Sequence, residues 1–399
     1  MNKNFSLLVI GQSLANIGDV LYMVSIISMI FTLTGSATVA SLVPFTVTTS
    51  MFLSTVLTPL LVGRVNLKWL LSGSQLGKTG LILGLGLLVV GISESNYYVV
   101  FIIIAGIALL DGCANPIRQT LIPHYVESQK LLRANGIAES ITQFIQTVMW
   151  FVGSLFLVIM SPQQVIWLVV LLFALSSMLL TLLSNVEQPA EEHESMLSQL
   201  KEGWHTVFKT PVLRKIALME IMETLAGTVW IAAILYVFVS DALQADEKWW
   251  GFVNGSFFLG LVAGSMYCIK NSDTIESRIG NVLFIGALSS CLINIFFSIT
   301  SNPFLALGLS FGFGLFEQIR GIPMQTVIQT SVAKGKLSTV YTSLGAISTG
   351  IFGIGSVVMG VLADLLGVRS VFLFSGLLLA IVTLLVFRNK LLFIRNTAQ

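Results

Sequence analysis

The chain has 399 residues, 55% of them hydrophobic and only 10% charged, with a formal net charge of +2. A soluble protein of this length carries about a quarter charged residues, so a water-soluble globular domain is excluded, and the near-neutral charge implies no nucleic-acid partner. The apolar residues come in blocks of roughly twenty, the length at which a helix crosses a bilayer core, which is the composition of an all-α membrane protein.

The N-terminus, MNKNF, runs straight into the first apolar block without an A-x-A cleavage signal, so the first span is expected to be retained. Six spans follow at residues 5–32, 37–62, 70–93, 97–118, 138–160 and 163–184. Six more are expected at 213–240, 250–270, 280–299, 302–325, 338–362 and 370–388. Between the two sets lies the longest polar stretch, and from Met196 to Phe208 it has the pattern of a short amphipathic helix on a membrane surface. The expected organisation is an N-terminal half at 1–185, a linker at 186–212 and a C-terminal half at 213–399.

With the N-terminus inside, 17 of the 21 Lys and Arg fall on the cytoplasmic side and two, Lys248 and Arg369, outside. The remaining two, Lys78 and Arg320, lie within spans. That asymmetry places both termini and the linker in the cytoplasm. The three cysteines, Cys113, Cys268 and Cys291, lie in apolar segments without CxxC spacing and read as small packing residues, not as metal ligands or disulfide partners.

One stretch organises the chain. Asp111 to Gly136, DGCANPIRQTLIPHYVESQKLLRANG, recurs 206 positions later as Glu317 to Thr342, EQIRGIPMQTVIQTSVAKGKLSTVYT. In this register Gln119-Thr120 falls on Gln325-Thr326, Ile122 on Ile328, Val126 on Val332 and Lys130-Leu131 on Lys336-Leu337. Each copy opens with an acid inside an apolar segment. A repeat of half the chain length with a carboxylate at the same depth in each copy points to a transporter built from two similar halves.

Several pieces spread over the whole chain carry a family resemblance. They are GQSLANIGDVLYMVSIISMIFTLTGSA in the first span, NPIRQTLIPHYV and KLLRANG after the fourth, LKEGWHTVFKTPVLR before the seventh and GVLADLLGVR after the eleventh. On these the chain resembles a major facilitator superfamily transporter, and within it the branch of macrolide-efflux and enterobactin-exporter proteins. KLLRANG also resembles a loop of bacterial lysophospholipid transporters of the same superfamily. The resemblance implies the major facilitator fold, twelve transmembrane helices in two six-helix halves, with spans 1, 4, 7 and 10 lining a central cavity. Two positions depart from the family pattern. The loop after the second span reads Gly63-Arg64-Val65-Asn66-Leu67-Lys68, keeping two cations as gating candidates, Arg64 and Lys68, but losing the usual acid. The Gly-Pro of exporter helix 5 appears as Gly153-Ser154.

Ionisable residues inside spans are expensive and normally face a cavity or a partner. Asp19, Asp111, Glu220, Glu223 and Glu317 all fall on spans 1, 4, 7 and 10, and are the proton-coupling candidates. Desolvation favours a neutral acid and a nearby cation an ionised one, and that competition lets an acid exchange a proton. Asp111 has no adjacent cation on its own span; Arg118, seven residues on, shares its helix face about 10 Å away. Glu317 and Arg320 are three apart and can pair, either as a coupling element or as a permanent packing pair. Glu220 and Glu223 share a face of span 7 and could receive a cationic substrate, titrate together, or reach Lys215 or interfacial water. Lys78 reads as a snorkelling or packing cation. The substrate-binding candidates are Arg320, Arg118, Gln143, Gln146, Asn254, Trp230 and Phe316; as amides and aromatics in membrane helices several of these also suit helix packing.

No nucleotide-binding G-x-x-x-x-G-K-[ST] and no nucleophile or metal constellation is present, so neither an enzyme nor a cofactor is expected and ATP is not the energy source. The reading is a proton-coupled secondary exporter in the cell membrane, expected as a monomer. Its substrate is an amphiphilic organic molecule, either a drug such as a macrolide or a siderophore or metallophore. Lysophospholipid movement is the alternative within transport, and a non-transporting receptor the alternative outside it.

Overall fold

The computed structural model describes residues 2–34, 37–58, 65–93, 95–186, 196–230, 232–246 and 248–393. Nearly all of these residues are helical. Up to the linker, α1 runs Lys3–Thr34, α2 Ala37–Leu57, α3 Leu67–Leu88, α4 Tyr98–Asp111, α5 Ala114–Tyr125, α6 Leu131–Ile159 and α7 Pro162–Thr181. After them come α8 (Met196–Lys209), α9 (Pro211–Gly227), α10 (Ala232–Val237), α11 (Lys248–Lys270), α12 (Ser272–Ser277) and α13 (Ile279–Ile299). The last three are α14 (Pro303–Ser331), α15 (Leu337–Leu366) and α16 (Val368–Arg388). Counting α4 with α5 and α9 with α10 as single crossings, the described residues give six membrane-length rods before α8 and six after.

Local chemistry sets the starts of these helices. Ser161 caps α7 with a reciprocal box to Gln164 and a proline follows at once; Asn302 caps α14 through the Phe304 and Leu305 amides, again ahead of a proline. Pro211 likewise opens α9, there without a side-chain cap from Thr210. Such caps satisfy amides that the first turn leaves without partners, and proline costs nothing where its missing N–H would have been idle. The rods then turn their Leu, Ile and Phe side chains both inward and outward. Ile102, Leu171, Ile299 and Ile354 are among the exposed ones, as suits helices bathed in lipid.

Four features differ from the sequence expectation. The fourth crossing extends to Tyr125 and is interrupted at Gly112-Cys113, so the straight helix that would carry Asp111 and Arg118 on one face is not continuous. The seventh crossing is broken after Gly227 by a 3-10 turn, Thr228–Trp230, and its two parts meet at 50°. The fifth crossing begins seven residues before the expected 138, at Leu131. The tenth runs six beyond the expected 325, to Ser331. The expected amphipathic segment is present as α8, Met196–Lys209.

The internal repeat is visible in the backbone. Val126 and Val332 both end a helix in extended conformation. Ser128–Lys130 and Lys334–Lys336 both form a 3-10 turn, and Leu131 and Leu337 both start the next long helix. All three correspondences hold the 206-residue offset seen in the sequence.

The chain divides into two compact units: Met1–Glu127, Ile145–Gly203 and Lys334–Ser343 in one, and Ser128–Phe144, Trp204–Ala333 and Leu344–Gln399 in the other. Each unit thus takes a short segment from the opposite half of the sequence, and the two segments begin at equivalent repeat positions, Ser128 and Lys334. The core of the first unit is aliphatic, with Leu21, Ile26, Ile30, Ile82, Leu85, Ile104, Ile166 and Phe173 fully or almost fully buried. The core of the second is aromatic. Trp230 stacks on Phe313 at 4.6 Å, lies 4.7 Å from Phe297 and meets Phe372 edge-on at 5.6 Å. Its indole N–H donates to Asn294 Oδ1 at 3.2 Å.

Glycines set the tightest crossing. A Cβ at Gly260 would meet the Phe311 carbonyl oxygen, and one at Gly314 the Phe257 carbonyl oxygen, both well inside contact distance. α11 and α14 therefore touch backbone to backbone, as small residues permit in membrane helices.

Candidate functional site

In the first unit, three charged side chains from three helices converge. Lys78 Nζ on α3 donates to Asp19 Oδ1 at 2.8 Å and Oδ2 at 3.0 Å on α1, and to Asp111 Oδ1 at 2.6 Å on α4. The ammonium is 1% exposed, whereas Asp19 and Asp111 keep 23% and 21% of their side-chain surface open. Phe173 covers the ammonium, its ring centroid 4.9 Å from Nζ.

Each member of this group has a glycine beside it in sequence, and each glycine is a point of close helix approach. A Cβ at Gly18 would run into the Phe173 ring, one at Gly77 would meet Leu110 Cδ1 at 2.7 Å, and one at Gly112 the Met51 carbonyl oxygen at 2.6 Å. Gly77 brings α3 against α4, the helix of Asp111, while Gly18 packs α1 on α7 and Gly112 packs the fourth crossing on α2. The reading of Lys78 as a packing or snorkelling cation is corrected: its ammonium is buried and ion-paired with two carboxylates from other helices.

The second unit holds a counterpart. Arg320 Nη2 on α14 donates to Glu317 Oε1 at 2.7 Å and Oε2 at 2.8 Å, and Nη1 contacts Glu223 Oε1 on α9. Here too the cation is buried, 3% exposed, while Glu223 and Glu317 are 19% and 35% exposed. Gly286 on α13 lies against the Arg320 Cβ, leaving the guanidinium room beside that helix. Glu220, one turn before Glu223, lies near Arg320 and beside the Thr224 and Ser348 hydroxyls, which are hydrogen-bonded to each other at 3.2 Å.

The two groups share a plan. An acid on the first crossing of each half, Asp19 or Glu223, and an acid on the fourth, Asp111 or Glu317, flank one buried cation. Asp111 and Glu317 are the repeat-equivalent pair. The cations are not equivalent: Lys78 comes from the third crossing, whereas Arg320 comes from the same helix as Glu317.

The other expected site residues are dispersed. Arg118 on α5 is buried, at 7% exposure. Gln143 donates to Glu139 Oε1 at 2.7 Å, Gln146 is half-buried, and Asn254 Nδ2 donates to the Trp250 carbonyl at 2.9 Å. Trp230 belongs to the aromatic core described above, and Phe316 packs beside Leu132, Ile319 and Ile322. The Lys68 ammonium sits 4.5 Å above the Trp69 ring; Arg64 lies outside the described residues.

Sequence reasoning missed one polar group altogether. Asn135 and Gln329 form a reciprocal amide pair, Asn135 Nδ2 to Gln329 Oε1 at 2.7 Å and Gln329 Nε2 to Asn135 Oδ1 at 3.2 Å. Asn135 also donates to Thr326 Oγ1 at 3.1 Å, and all three residues are 5% exposed or less. Their places within the two copies of the repeated stretch were the available signal.

Comparison with known proteins agrees with this architecture. The family profile of the Major Facilitator Superfamily matches residues 8–352. The chain is 28% identical over 387 residues to the MFS-type transporter YfmI of Bacillus subtilis (strain 168), covering 96% of this chain and 95% of that protein. It is 27% identical to YjbB of the same organism, covering 94% and 93%. Among solved structures, the human organic anion transporter TETRAN superposes with a TM-score of 0.76 at 11% identity, covering 96% of this chain and 99% of that one. The E. coli fucose:proton symporter FucP superposes with 0.75 at 14% identity, covering 97% and 98%. A bacterial homologue of the iron transporter ferroportin gives 0.72 at 14% identity, covering 97% and 99%. These likenesses at low identity establish the fold, and the profile establishes the family: the chain belongs to the Major Facilitator Superfamily and is a multi-pass membrane transporter, not an enzyme.

Proposed function

We propose that the protein is a proton-coupled secondary exporter of a small amphiphilic organic molecule. The observation that carries this reading is the pair of acid–cation–acid groups, one in each unit, Asp19–Lys78–Asp111 and Glu223–Arg320–Glu317. A buried cation flanked by two partly open carboxylates holds one negative charge in excess. A proton cancels that charge, and its release restores it, so the group can trade a proton with whichever side of the membrane it faces. Surplus charge within a membrane span is too costly to keep for packing alone.

In this reading the protein sits in the cell membrane as a monomer with both termini and the linker cytoplasmic, and residues 1–185 and 213–399 act as the two transport halves. Arg64 and Lys68 gate the cytoplasmic loop, while Arg118, Gln143, Gln146, Asn254 and Phe316 are secondary substrate contacts. The substrate is a drug such as a macrolide or a secreted metal chelator. The export direction follows the family resemblance of the first span.

The test is transport into inverted vesicles carrying the protein, with a panel of amphiphilic drugs and a catecholate siderophore as substrates and a pH-sensitive dye inside. Accumulation should discharge the proton gradient, collapse with a protonophore and persist without ATP while the gradient is held. Uphill accumulation that survives the protonophore contradicts the proposal.

A further inference from the structure

The linker helix α8 carries a surface that the charged clusters do not use. From Met196 to Lys215 the chain holds four cations, Lys201, Lys209, Arg214 and Lys215, against one acid, Glu202. That acid is committed: Glu202 Oε1 lies 2.8 Å from Lys336 Nζ, in the turn just before α15. Among the described residues none of the four cations makes an ion pair. The stretch therefore presents four unmatched positive charges.

The faces of α8 are sorted. Gly203 and Val207 are buried, and a Cβ at Gly203 would meet the Thr339 carbonyl oxygen at 2.7 Å, so α8 rests on α15 at Gly203. At about 100° per residue, Trp204 and Phe208 come next around the helix, and Lys201 and His205 about 60° beyond them. Glu202 lies on the opposite edge. The Trp204 and Phe208 rings stack with centroids 6.1 Å apart, and Phe208 is 55% exposed. Lys201, His205, Lys209 and Arg214 are exposed as well. An aromatic edge flanked by cations suits the boundary between acyl chains and headgroups, where aromatic rings and basic side chains gather.

We propose that α8 and the start of α9 form a binding surface for anionic phospholipids. Trp204 and Phe208 enter the acyl boundary, and Lys201, Lys209, Arg214 and Lys215 take the lipid phosphates. In the orientation proposed above, this surface meets the cytoplasmic leaflet, whose lipids carry the negative surface charge. An aromatic edge alone would suit a neutral bilayer equally well. The four unmatched cations are what select the anionic one. The inference stands apart from the proton-coupling reading, since it uses no residue of either charged cluster.

The experiment titrates the purified full chain, in micelles of a neutral maltoside, with short-chain phosphatidylglycerol and with phosphatidylcholine of the same acyl length. Binding is read by thermophoresis. A basic residue near an anionic surface is worth about fivefold in affinity, so phosphatidylglycerol should bind about tenfold or more tightly than phosphatidylcholine. The preference should shrink as salt rises from about 50 to about 500 mM. Lys201→Gln combined with Lys209→Gln should remove most of it, whereas Arg278→Gln combined with Lys390→Gln, away from α8, should leave it intact. Should the first pair fail to fold, its single members decide, each losing part of the preference. Glycerophosphoglycerol, the same headgroup without acyl chains, should not compete at equal concentration. A wild-type protein without a preference, a preference untouched by salt, or equal losses in the two double variants overturns the proposal. Full competition by the free headgroup overturns it too. A preference that appears only once Glu187, Glu191, Glu192 and Glu194 are all changed to Gln would assign the surface to that acidic segment instead of lipid.

Discussion

Replacing Lys78 by Met tests whether the first cluster is held by charge. The ammonium satisfies three carboxylate oxygens at 2.6, 2.8 and 3.0 Å. Methionine keeps the length and apolar stem but leaves Asp19 and Asp111 facing one another across the vacated position, about 5 Å apart. At an effective dielectric of about 20 their repulsion is about 3 kcal/mol, and removing one partner of a buried ion pair typically costs about 3–5 kcal/mol. Both acids keep roughly a fifth of their surface open, which screens part of the effect, so we expect Lys78→Met to lose about 2–4 kcal/mol at pH 8. One proton shared between the two acids relieves the repulsion only in the folded state. The folded variant therefore binds more protons than the unfolded chain, and its deficit should shrink as pH falls from 8 to 5. Adding Asp19→Asn and Asp111→Asn should recover most of the loss without restoring transport. The assay is a thermal scan with a thiol-reactive dye, which reports unfolding through the buried Cys113, Cys268 and Cys291. A Lys78→Met protein as stable as wild type at pH 8, or a triple variant no better than the single, refutes the argument.

Further outcomes follow from other parts of the structure. Gly314→Ala places a methyl against the Phe257 carbonyl oxygen and should cost about 1–3 kcal/mol by overpacking; Gly321→Ala, where nothing lies within 4 Å, should be near neutral in the same thermal scan. Gln329→Leu removes both bonds of the reciprocal amide pair, leaving Asn135 only its bond to Thr326 among those described, and should cost about 1–3 kcal/mol, while Asn135→Leu combined with Gln329→Leu should recover part of it. Single cysteines at Glu192 and Gly335 should be labelled by a membrane-impermeant reagent only from the cytoplasmic side, and one at Asp246 only from outside; external labelling at Gly335 would contradict the topology.

Much of the architecture was legible because the bilayer imposes it. Blocks of about twenty apolar residues can only be crossing helices, and the 206-residue register read from the sequence recurs in the backbone, in the turns at Ser128 and Lys334 and the helix starts at Leu131 and Leu337, although the fifth span was expected to start only at 138. The acids were legible as well, since charge inside an apolar block stands out. The Glu317–Arg320 pair was legible from its spacing, but the sequence did not show that Arg320 also meets Glu223 or that Lys78 serves both Asp19 and Asp111. Lys78 lies on a different helix from both its partners, and the close approach of α3 to α4 at Gly77–Leu110 is a packing detail that hydropathy does not reveal. Hydropathy was equally silent on the breaks at Gly112-Cys113 and after Gly227, because an apolar run reads the same straight or bent. The Asn135–Gln329 pair escaped notice because its members lie nearly two hundred residues apart.

The most direct test of the account is the uphill and exchange activity of Asp111→Asn in proteoliposomes. Asparagine keeps the size of Asp111 and can still meet Lys78, but it removes titration and leaves a first cluster with no excess charge to trade for a proton. The account predicts a protein that inserts normally, exchanges substrate down its gradient and fails to accumulate it against one at any pH from 6 to 8. Full uphill transport by Asp111→Asn across that range would contradict the claim that the Asp19–Lys78–Asp111 group carries the proton.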